Sequence, residues 1–193
     1  MNKEDVHLKL LNTLNFTPDD IAKLSLFHDE LLKYNNKYNL ISKSTEKAIW
    51  DRHILDSAQL VKYIDFKDES SLSDMGSGAG FPGLVLAIFN KNKKFHVKLY
   101  EKSSVKCDFL ENIKNKLSID CDVFGKYQDE DQVDAEYIIS RAFKKLGEIL
   151  KISREIVKVN HKLIILKGKS AEEEINKLQQ PLEFRYKLEN SLT

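Results

Sequence analysis

D-M-G-S-G-A-G-F-P-G, the sequence of residues 74–83, holds four of the seven glycines of this chain, and no glycine precedes Gly76. Glycine loses more conformational freedom on folding than any other residue, so it is concentrated where the backbone needs a positive φ or a close approach. The cluster therefore predicts a sharp loop whose backbone presses against a ligand or another segment.

The glycine cluster lies in a region where predicted strands and helices alternate. Leu72–Met75 predicts a strand before the cluster, and the apolar run Leu84–Phe89 predicts a helix after it. Alternating apolar and polar residues over 95–101 predict a half-buried strand that ends at Glu101. Three further strands are predicted, at Ile119–Phe124, Tyr137–Ser140 and Leu163–Leu166. Such strand–helix units form a parallel sheet covered on both faces, which binds ligands at the carboxyl ends of its strands.

The part of the chain before the first strand is predicted to be helical. Thr17, followed by a proline and two aspartates, is typical of a helix N-terminus, and apolar residues then recur every three or four positions as far as Tyr38. A second helix is predicted over about 44–58. We therefore expect an α/β fold in which residues 1–65 form a helical N-terminal extension and residues 66–193 form the core, the whole being one compact domain.

The composition is that of an ordinary globular protein. The 193 residues are 41% hydrophobic and 32% charged, and 31 basic side chains nearly balance 30 acidic ones. These values exclude a disordered chain and a strong overall basic field. Only two cysteines occur, Cys107 and Cys121, which excludes a disulfide scaffold and a zinc ribbon. No apolar stretch reaches the roughly 18 residues that a membrane span needs. We expect a cytoplasmic protein with no membrane segment and no metal site.

The spacing D-x-G-x-G-x-G resembles the first motif of class I S-adenosylmethionine-dependent methyltransferases. The dehydrogenase fingerprint G-x-G-x-x-G would need a glycine where Phe81 stands, which disfavours a dehydrogenase. The resemblance implies that the glycines press the loop against the methionine part of the cofactor. Asp74 could then meet the cationic amino group, directly or through water. Glu101, which follows Gly80 by 21 residues, could accept both ribose hydroxyls.

Motifs along most of the chain sharpen this resemblance. They are Y-N-L at 38–40, R-H-I-L-D-S at 52–57, the glycine loop at 74–83, I-S-R-A-F at 139–143 and L-K-G at 166–168. Over about residues 15–180 the set closely resembles the ribosomal RNA small-subunit methyltransferase G family, also called glucose-inhibited division protein B. General methyltransferases lack R-H-I-L-D-S and I-S-R-A-F. The resemblance implies a Rossmann-like class I fold, S-adenosylmethionine as cofactor, and methylation of N7 of a guanine in the decoding-region loop of 16S rRNA.

The loop and the family resemblance together give nine candidate cofactor-binding residues. They are Asp74, Gly76, Gly78, Gly80, Phe81, Glu101, Tyr127, Gln128 and Arg141. Tyr127 and Gln128 would flank the adenine through backbone groups, although Gln128 replaces the acid that the family usually has. Arg141 would reach the active site after the fourth strand, where it is also our candidate for positioning the substrate. The family usually continues beyond the position of Thr193 into a last hairpin strand, without which Phe184–Leu188 would be poorly paired.

The absence of two other motifs narrows the chemistry. Methylation of exocyclic amino groups commonly uses an N/D-P-P-Y/F loop, but none of the three prolines is adjacent to another. Methylation of pyrimidine C5 needs a cysteine nucleophile, typically after proline, whereas Cys107 and Cys121 follow Lys106 and Asp120. We interpret both cysteines as packing residues. Guanine N7 already has an in-plane lone pair, so its methylation needs alignment and no general base.

A basic segment predicts where RNA would bind. Residues 141–169 contain nine basic and two acidic side chains, a net charge of +7. The candidate RNA-binding residues are Arg52, His53, Lys144, Lys145 and Lys167. A phosphate-binding face beside the active site would account for this charge. A solvated lysine-rich helix would account for it equally, and His53 could be a structural residue on a half-apolar helix.

Three other functions stay open from the residues alone: a small-molecule methyltransferase of the same fold, a non-catalytic RNA- or ribosome-binding module, and a dehydrogenase. A small-molecule enzyme would need an enclosed apolar pocket, against which the basic segment argues. A decayed module would not be expected to keep the glycines, Asp74 and Glu101. The favoured partner is 16S rRNA or an assembling small ribosomal subunit, bound by a monomer.

Overall fold

The computed structural model describes residues 1–67, 69–125, 133–157, 159–168, 170–178 and 185–193. Its centre is one parallel sheet of five strands. In chain order they are β1 (Ser71–Met75), β2 (His96–Tyr100), β3 (Asp122–Phe124), β4 (Tyr137–Arg141) and β5 (Lys162–Leu166). The spatial order is β3-β2-β1-β4-β5, so the winding direction reverses between β1 and β4. Open α/β sheets bind their ligands at such a reversal, outside the carboxyl ends of the strands.

Helices precede the sheet and connect its strands. Before it lie α1 (Lys3–Leu14), α2 (Pro18–Tyr38) and the short α3 (Asp56–Ala58). Between consecutive strands of the chain lie α4 (Gly83–Phe89), α5 (Ser104–Leu117) and α6 (Leu146–Ile156), and α7 (Ala171–Asn176) follows β5. The predicted α/β fold with helical residues at its N-terminus is confirmed.

The start of α2 forms as predicted. The hydroxyl of Thr17 accepts a hydrogen bond from Asp20 N, and the carboxylate of Asp20 accepts one from Thr17 N, which makes a capping box. The continuous helix predicted over 44–58 is wrong. That segment is a 3-10 helix at Lys43–Ala48 and a π-helix at Ile49–Leu55 that leads into α3. Ile49 and Ile54 are both buried and lie five residues apart, which matches the i→i+5 bonding of a π-helix.

The two faces of the sheet pack against different layers. Leu99 and Ile139 belong to a large core shared with α1, α2, α4 and α5, whereas their neighbours Tyr100 and Ile138 belong to a smaller cluster beside α6. Adjacent strand residues point to opposite faces, which explains this division. Because residues of α1 and α2 lie in the same core as the sheet, the N-terminal helices are packed on it. The predicted boundary at residue 65 stays a prediction.

The last described residues are anchored to the segment that follows α3. Leu192 N donates to Gln59 Oε1 at 2.9 Å, and Gln59 Nε2 donates to Ser191 Oγ at 2.9 Å. Residues 185–188 form no strand, and Phe184 lies outside the described residues. Among the described helices, none combines the length and the apolar character that crossing a membrane requires.

Candidate active site

The glycine loop leaves β1 at the reversal point of the sheet. Gly76 N and Ser77 N donate to Tyr100 O at 2.9 and 3.0 Å, which ties the loop to the end of β2. Gly76, Gly78 and Gly80 have φ values of 80°, 59° and 99°. A Cβ atom on Gly76 would lie 2.5 Å from Cδ2 of Phe143, so a larger residue would collide with that ring. The predicted close approach of the backbone thus involves a side chain of the I-S-R-A-F motif.

Glu101 lies directly after β2 and faces the loop. Its Oε2 accepts from Gly78 N at 2.8 Å and its Oε1 accepts from Ser103 N at 2.9 Å. A carboxylate offers about four lone-pair positions, so each oxygen keeps capacity for a further donor. This position and this capacity fit the two ribose hydroxyls that Glu101 is predicted to accept.

Asp74 lies beneath the loop rather than in the crevice outside the carboxyl ends of β1 and β4, where sheets of this kind bind their ligands. Its side chain is fully buried, and its Oδ2 accepts from Gly83 N at 2.9 Å at the start of α4. Its Oδ1 is buried without a hydrogen-bond partner among the described residues. Burial raises the pKa of Asp74 to about 7. The carboxyl therefore supports the loop from below, and its predicted contact with the amino group of a cofactor stays a prediction.

Phe81 is a buried platform next to this loop. Its ring stacks on the ring of His53, with centroids 5.0 Å apart and an interplanar angle of 27°. The guanidinium carbon of Arg141 lies 5.3 Å from the Phe81 centroid, and the ring of Phe27 from α2 lies 5.1 Å away. Since only 3% of Phe81 is exposed, its ring positions neighbouring side chains, and a cofactor would meet mainly its backbone.

Arg141, the last residue of β4, is held by the R-H-I-L-D-S segment. Its Nη1 donates to Arg52 O at 3.0 Å and lies 3.7 Å from Asp56 Oδ2. Its Nη2 lies 2.7 Å from His53 Nδ1. The next residue, Ala142, has a φ of 49°, a conformation that a non-glycine residue rarely adopts. The two motifs that are most specific for the resembled family therefore meet at one guanidinium group beside the glycine loop.

Burial and two charged neighbours keep the His53 ring neutral. Burial, Arg141 and Arg52 lower the pKa of His53 to about 4, so the imidazole is neutral at physiological pH. A guanidinium can only donate. His53 Nδ1 must therefore accept, which leaves the proton on Nε2.

The predicted basic face divides into paired and unpaired side chains. Lys144 lies 3.0 Å from Glu148, and Lys167 bonds Glu174 at 2.8 Å and Lys144 O at 3.0 Å. The net charge of +7 counted over 141–169 leaves out Glu174 and the other acids of α7, because they follow that segment in the chain. Arg52 and Lys145 are exposed, and their side chains have no partner in the part of the chain that the structure describes. Tyr127 and Gln128 lie outside the described residues.

Comparisons with known proteins decide the family. The sequence profile described as rRNA small subunit methyltransferase G matches residues 20–193. The Rickettsia felis protein named ribosomal RNA small subunit methyltransferase G is 38% identical over 173 residues, covering 90% of this chain and 88% of that protein. The Pelagibacter ubique protein of that name is 33% identical over 189 residues, covering 95% and 88%. The chain belongs to the rRNA small subunit methyltransferase G family.

Membership of this family confirms the predicted enzyme class, a methyltransferase with S-adenosylmethionine as cofactor. Solved structures support the fold. An S-adenosylmethionine-dependent O-methyltransferase of Thermotoga maritima matches with a TM-score of 0.55 and 16% identity, over 78% of this chain and 54% of that one. The Rossmann-like class I fold predicted from the sequence is confirmed.

The candidate site contains three residues that the sequence analysis did not name as candidates. Asp56 belongs to R-H-I-L-D-S, and its approach to Arg141 becomes visible only when the two motifs are brought together. Phe143 belongs to I-S-R-A-F and lies against Gly76. Gly83 ends the glycine stretch; a Cβ atom there would lie 2.4 Å from Leu99 and 2.6 Å from Asp74 Oδ2. The described residues contain no group of His, Cys, Asp and Glu side chains that could hold a metal ion.

Proposed function

We propose that this protein transfers the methyl group of S-adenosylmethionine to N7 of a guanine in 16S ribosomal RNA. The main support is a contact between the two family motifs at the carboxyl end of β4. There the guanidinium of Arg141, from I-S-R-A-F, bonds Arg52 O and His53 Nδ1, from R-H-I-L-D-S. Family membership supports the substrate class, because the relatives are named for small-subunit ribosomal RNA.

The residues around the crevice suit a reaction that needs no general base. S-adenosylmethionine supplies an electrophilic methyl group on a positively charged sulfur. The N7 lone pair of guanine forms the new N–C bond while the C–S bond breaks, and the electron pair of that bond stays on sulfur. The positive charge thereby moves to the purine, and no proton has to leave. His53 is neutral and its Nε2 is buried, and Asp74 is fully buried, so neither is placed to take a proton from a base in the crevice.

Alignment is then the main contribution of the protein. The glycine loop and Glu101 offer backbone and carboxylate groups on the β1–β2 side, and Arg141 offers a fixed guanidinium on the β4 side. The remaining N–H groups of Arg141 are suited to O6 of the guanine, which lies beside N7 and accepts hydrogen bonds. The charge of Arg141 is partly balanced by Asp56, which limits its repulsion of the developing positive charge.

We expect the RNA backbone to be held by cations whose side chains have no partner within the described ranges. Arg52 and Lys145 meet this description in the described chain, and the backbone carbonyl of Arg52 contacts Arg141 directly. Phosphate contacts dominate the affinity of nucleic-acid complexes and make it depend on salt. We therefore place the RNA strand across these two side chains, with the target base turned toward β4.

Mass mapping of 16S rRNA after incubation with the protein and isotope-labelled S-adenosylmethionine tests this function. The expected result is one labelled N7-methylguanine. Binding of the cofactor without any methylated nucleotide would favour a non-catalytic RNA-binding module. Label found only on small molecules would favour the small-molecule enzyme.

The natural form of the substrate needs a parallel assay. Naked 16S rRNA, mature small subunits and partly assembled subunits should be compared at equal concentration, because we propose that an assembling particle in the cytoplasm is the substrate. Gel filtration coupled to light scattering tests the proposed monomer. A higher rate on mature subunits than on assembling ones would refute the proposed particle.

A further inference from the structure

His53 makes a directional contact with Arg141 as well as stacking on Phe81. The 2.7 Å distance from Arg141 Nη2 to His53 Nδ1 is that of a short hydrogen bond to a charged donor. Its direction is fixed, since the guanidinium has no acceptor. The ring nitrogen on the other side, Nε2, is buried and has no hydrogen-bond partner among the described residues.

That buried N–H is informative because packing alone does not explain it. A phenylalanine at position 53 would stack on Phe81 equally well and would bury no unpaired polar group. The chain instead places an imidazole there, one of whose nitrogens accepts from Arg141 while the other has no partner among the residues that the structure describes. The contact with Arg141 is therefore the feature that distinguishes histidine from a purely apolar residue at this position.

We propose that His53 is a positioning residue whose Nδ1 orients the guanidinium of Arg141 toward the methyl acceptor. The proposal rests on the proposed function of the site, since it assigns Arg141 to the guanine. With Arg52 O on Nη1 and His53 Nδ1 on Nη2, the plane of the guanidinium is fixed at two points. The group is thereby preorganised before the RNA binds, which reduces the freedom that is lost in the complex.

Two substitutions of His53 test its hydrogen-bond acceptor and its aromatic stacking separately. His53→Asn keeps an acceptor on the γ carbon, where Nδ1 stands, but loses the aromatic stack. His53→Phe keeps the stack on Phe81 and loses the acceptor. We expect His53→Phe to lower kcat/KM for RNA on the order of 10- to 100-fold, as the loss of a hydrogen bond to a charged group would. His53→Asn should recover most of that loss, and the cofactor Kd should change less than about twofold in both variants.

A double-mutant cycle with Arg141→Ala tests whether His53 acts through Arg141. In the Arg141→Ala background, His53→Phe should change kcat/KM by less than about twofold. An unchanged full loss in that background, or activity kept by His53→Phe and lost by His53→Asn, would overturn the proposal in favour of a packing role. His96→Phe, at the amino end of β2 and away from the carboxyl ends where the glycine loop lies, is the control for a generic loss of histidine.

Nitrogen-15 NMR of wild-type protein labelled on histidine gives a readout that does not depend on methyl transfer. The expected state of His53 is the neutral tautomer with the proton on Nε2, unchanged between pH 5.5 and 8. A protonated ring or the opposite tautomer would refute the proposal even in an active enzyme. If the tautomer is as expected but no RNA is methylated, the proposed function fails while the Arg141–His53 geometry stands.

Discussion

Nη2 of Arg141 lies 2.7 Å from Nδ1 of His53, and this contact joins the end of β4 to the π-helical turn before α3. The two residues are 88 positions apart in the chain. Both lie against the ring of Phe81, which the glycine loop carries. Three separate motifs of the family are therefore in direct contact through these three side chains. A substitution in one motif should shift the side chains of the other two.

Replacing Arg141 by lysine tests how much of that unit depends on two-point bonding. A lysine keeps the charge but lacks the planar fork that reaches Arg52 O and His53 Nδ1 together. We expect kcat/KM for 16S rRNA to fall by at least about tenfold, while the midpoint of thermal unfolding shifts little because the charge beside Asp56 is kept. Arg154→Lys, on α6, is the matched control. Full activity of Arg141→Lys would mean that charge alone is needed.

The glycine loop offers a second test, at the contact between Gly76 and Phe143. Gly76→Ala would place a methyl group 2.5 Å from the Phe143 ring and would force alanine to a φ near 80°. The left-handed backbone alone costs roughly 1–2 kcal/mol. We expect the cofactor Kd, measured by calorimetry, to rise at least tenfold, since the loop must shift.

The double variant Gly76→Ala/Phe143→Ala separates the two causes. It removes the collision but keeps the backbone strain, so it should recover part of the lost affinity. Equal Kd values for Gly76→Ala and the wild type would show that the loop tolerates the methyl group, contrary to the geometry.

The sequence predicted the glycine loop, the alternation of strands and helices around it, and the family, because these depend on local patterns. Glycine spacing reports backbone conformation directly, and strand alternation reports burial. The contacts of His53 and Asp56 with Arg141 depend on how residues 52–57 and 139–143, which are distant in the chain, pack together. One sequence holds no signal for that distance, so His53 could be placed only as an ambiguous residue and Asp56 was not singled out.

The charge count over residues 141–169 predicted the free cations poorly for a related reason. A count along residues 141–169 cannot include the acids of α7, which follow that segment and one of which, Glu174, binds Lys167. The sequence therefore overestimated the free positive charge. Arg52, which the sequence also names as a candidate, lies far from the counted segment in the chain; it is exposed and contacts Arg141 through its carbonyl.

Asp74 makes the stability of the fold depend on pH. Its pKa of about 7 lies above the value of 3.8 that an aspartate has in an unfolded chain. Between these values the folded state holds a proton that the unfolded state has lost, so this group reduces stability as the pH rises from about 4 to about 7. Asp74→Asn keeps an acceptor for Gly83 N and cannot ionise. Relative to wild type, its free energy of unfolding should therefore increase by about 2–4 kcal/mol between pH 4.5 and pH 8.

Denaturant unfolding of both proteins at several pH values measures that difference. The lowered pKa of His53 has the opposite effect, since stability is lost as the pH falls from 6.5 toward 4. This contribution is present in both proteins and cancels in the comparison. Parallel stability curves for Asp74→Asn and wild type would contradict the raised pKa.

Arg52 and Lys145, which have no side-chain partner in the described part of the chain, lead to a prediction about RNA affinity. Arg52→Ala and Lys145→Ala should each weaken binding of a 16S rRNA fragment and lower the slope of log K against log salt by about 0.7–0.9, the loss of one phosphate contact. Lys167→Ala should change the slope less, because Lys167 is already bound to Glu174, although it should destabilise the packing of α7.

Lys93→Ala, which precedes β2 at the amino ends of the strands, is the control. Filter binding from 50 to 300 mM salt gives the slopes. Equal slopes for Arg52→Ala, Lys145→Ala and Lys93→Ala would remove both cations from the RNA-binding face.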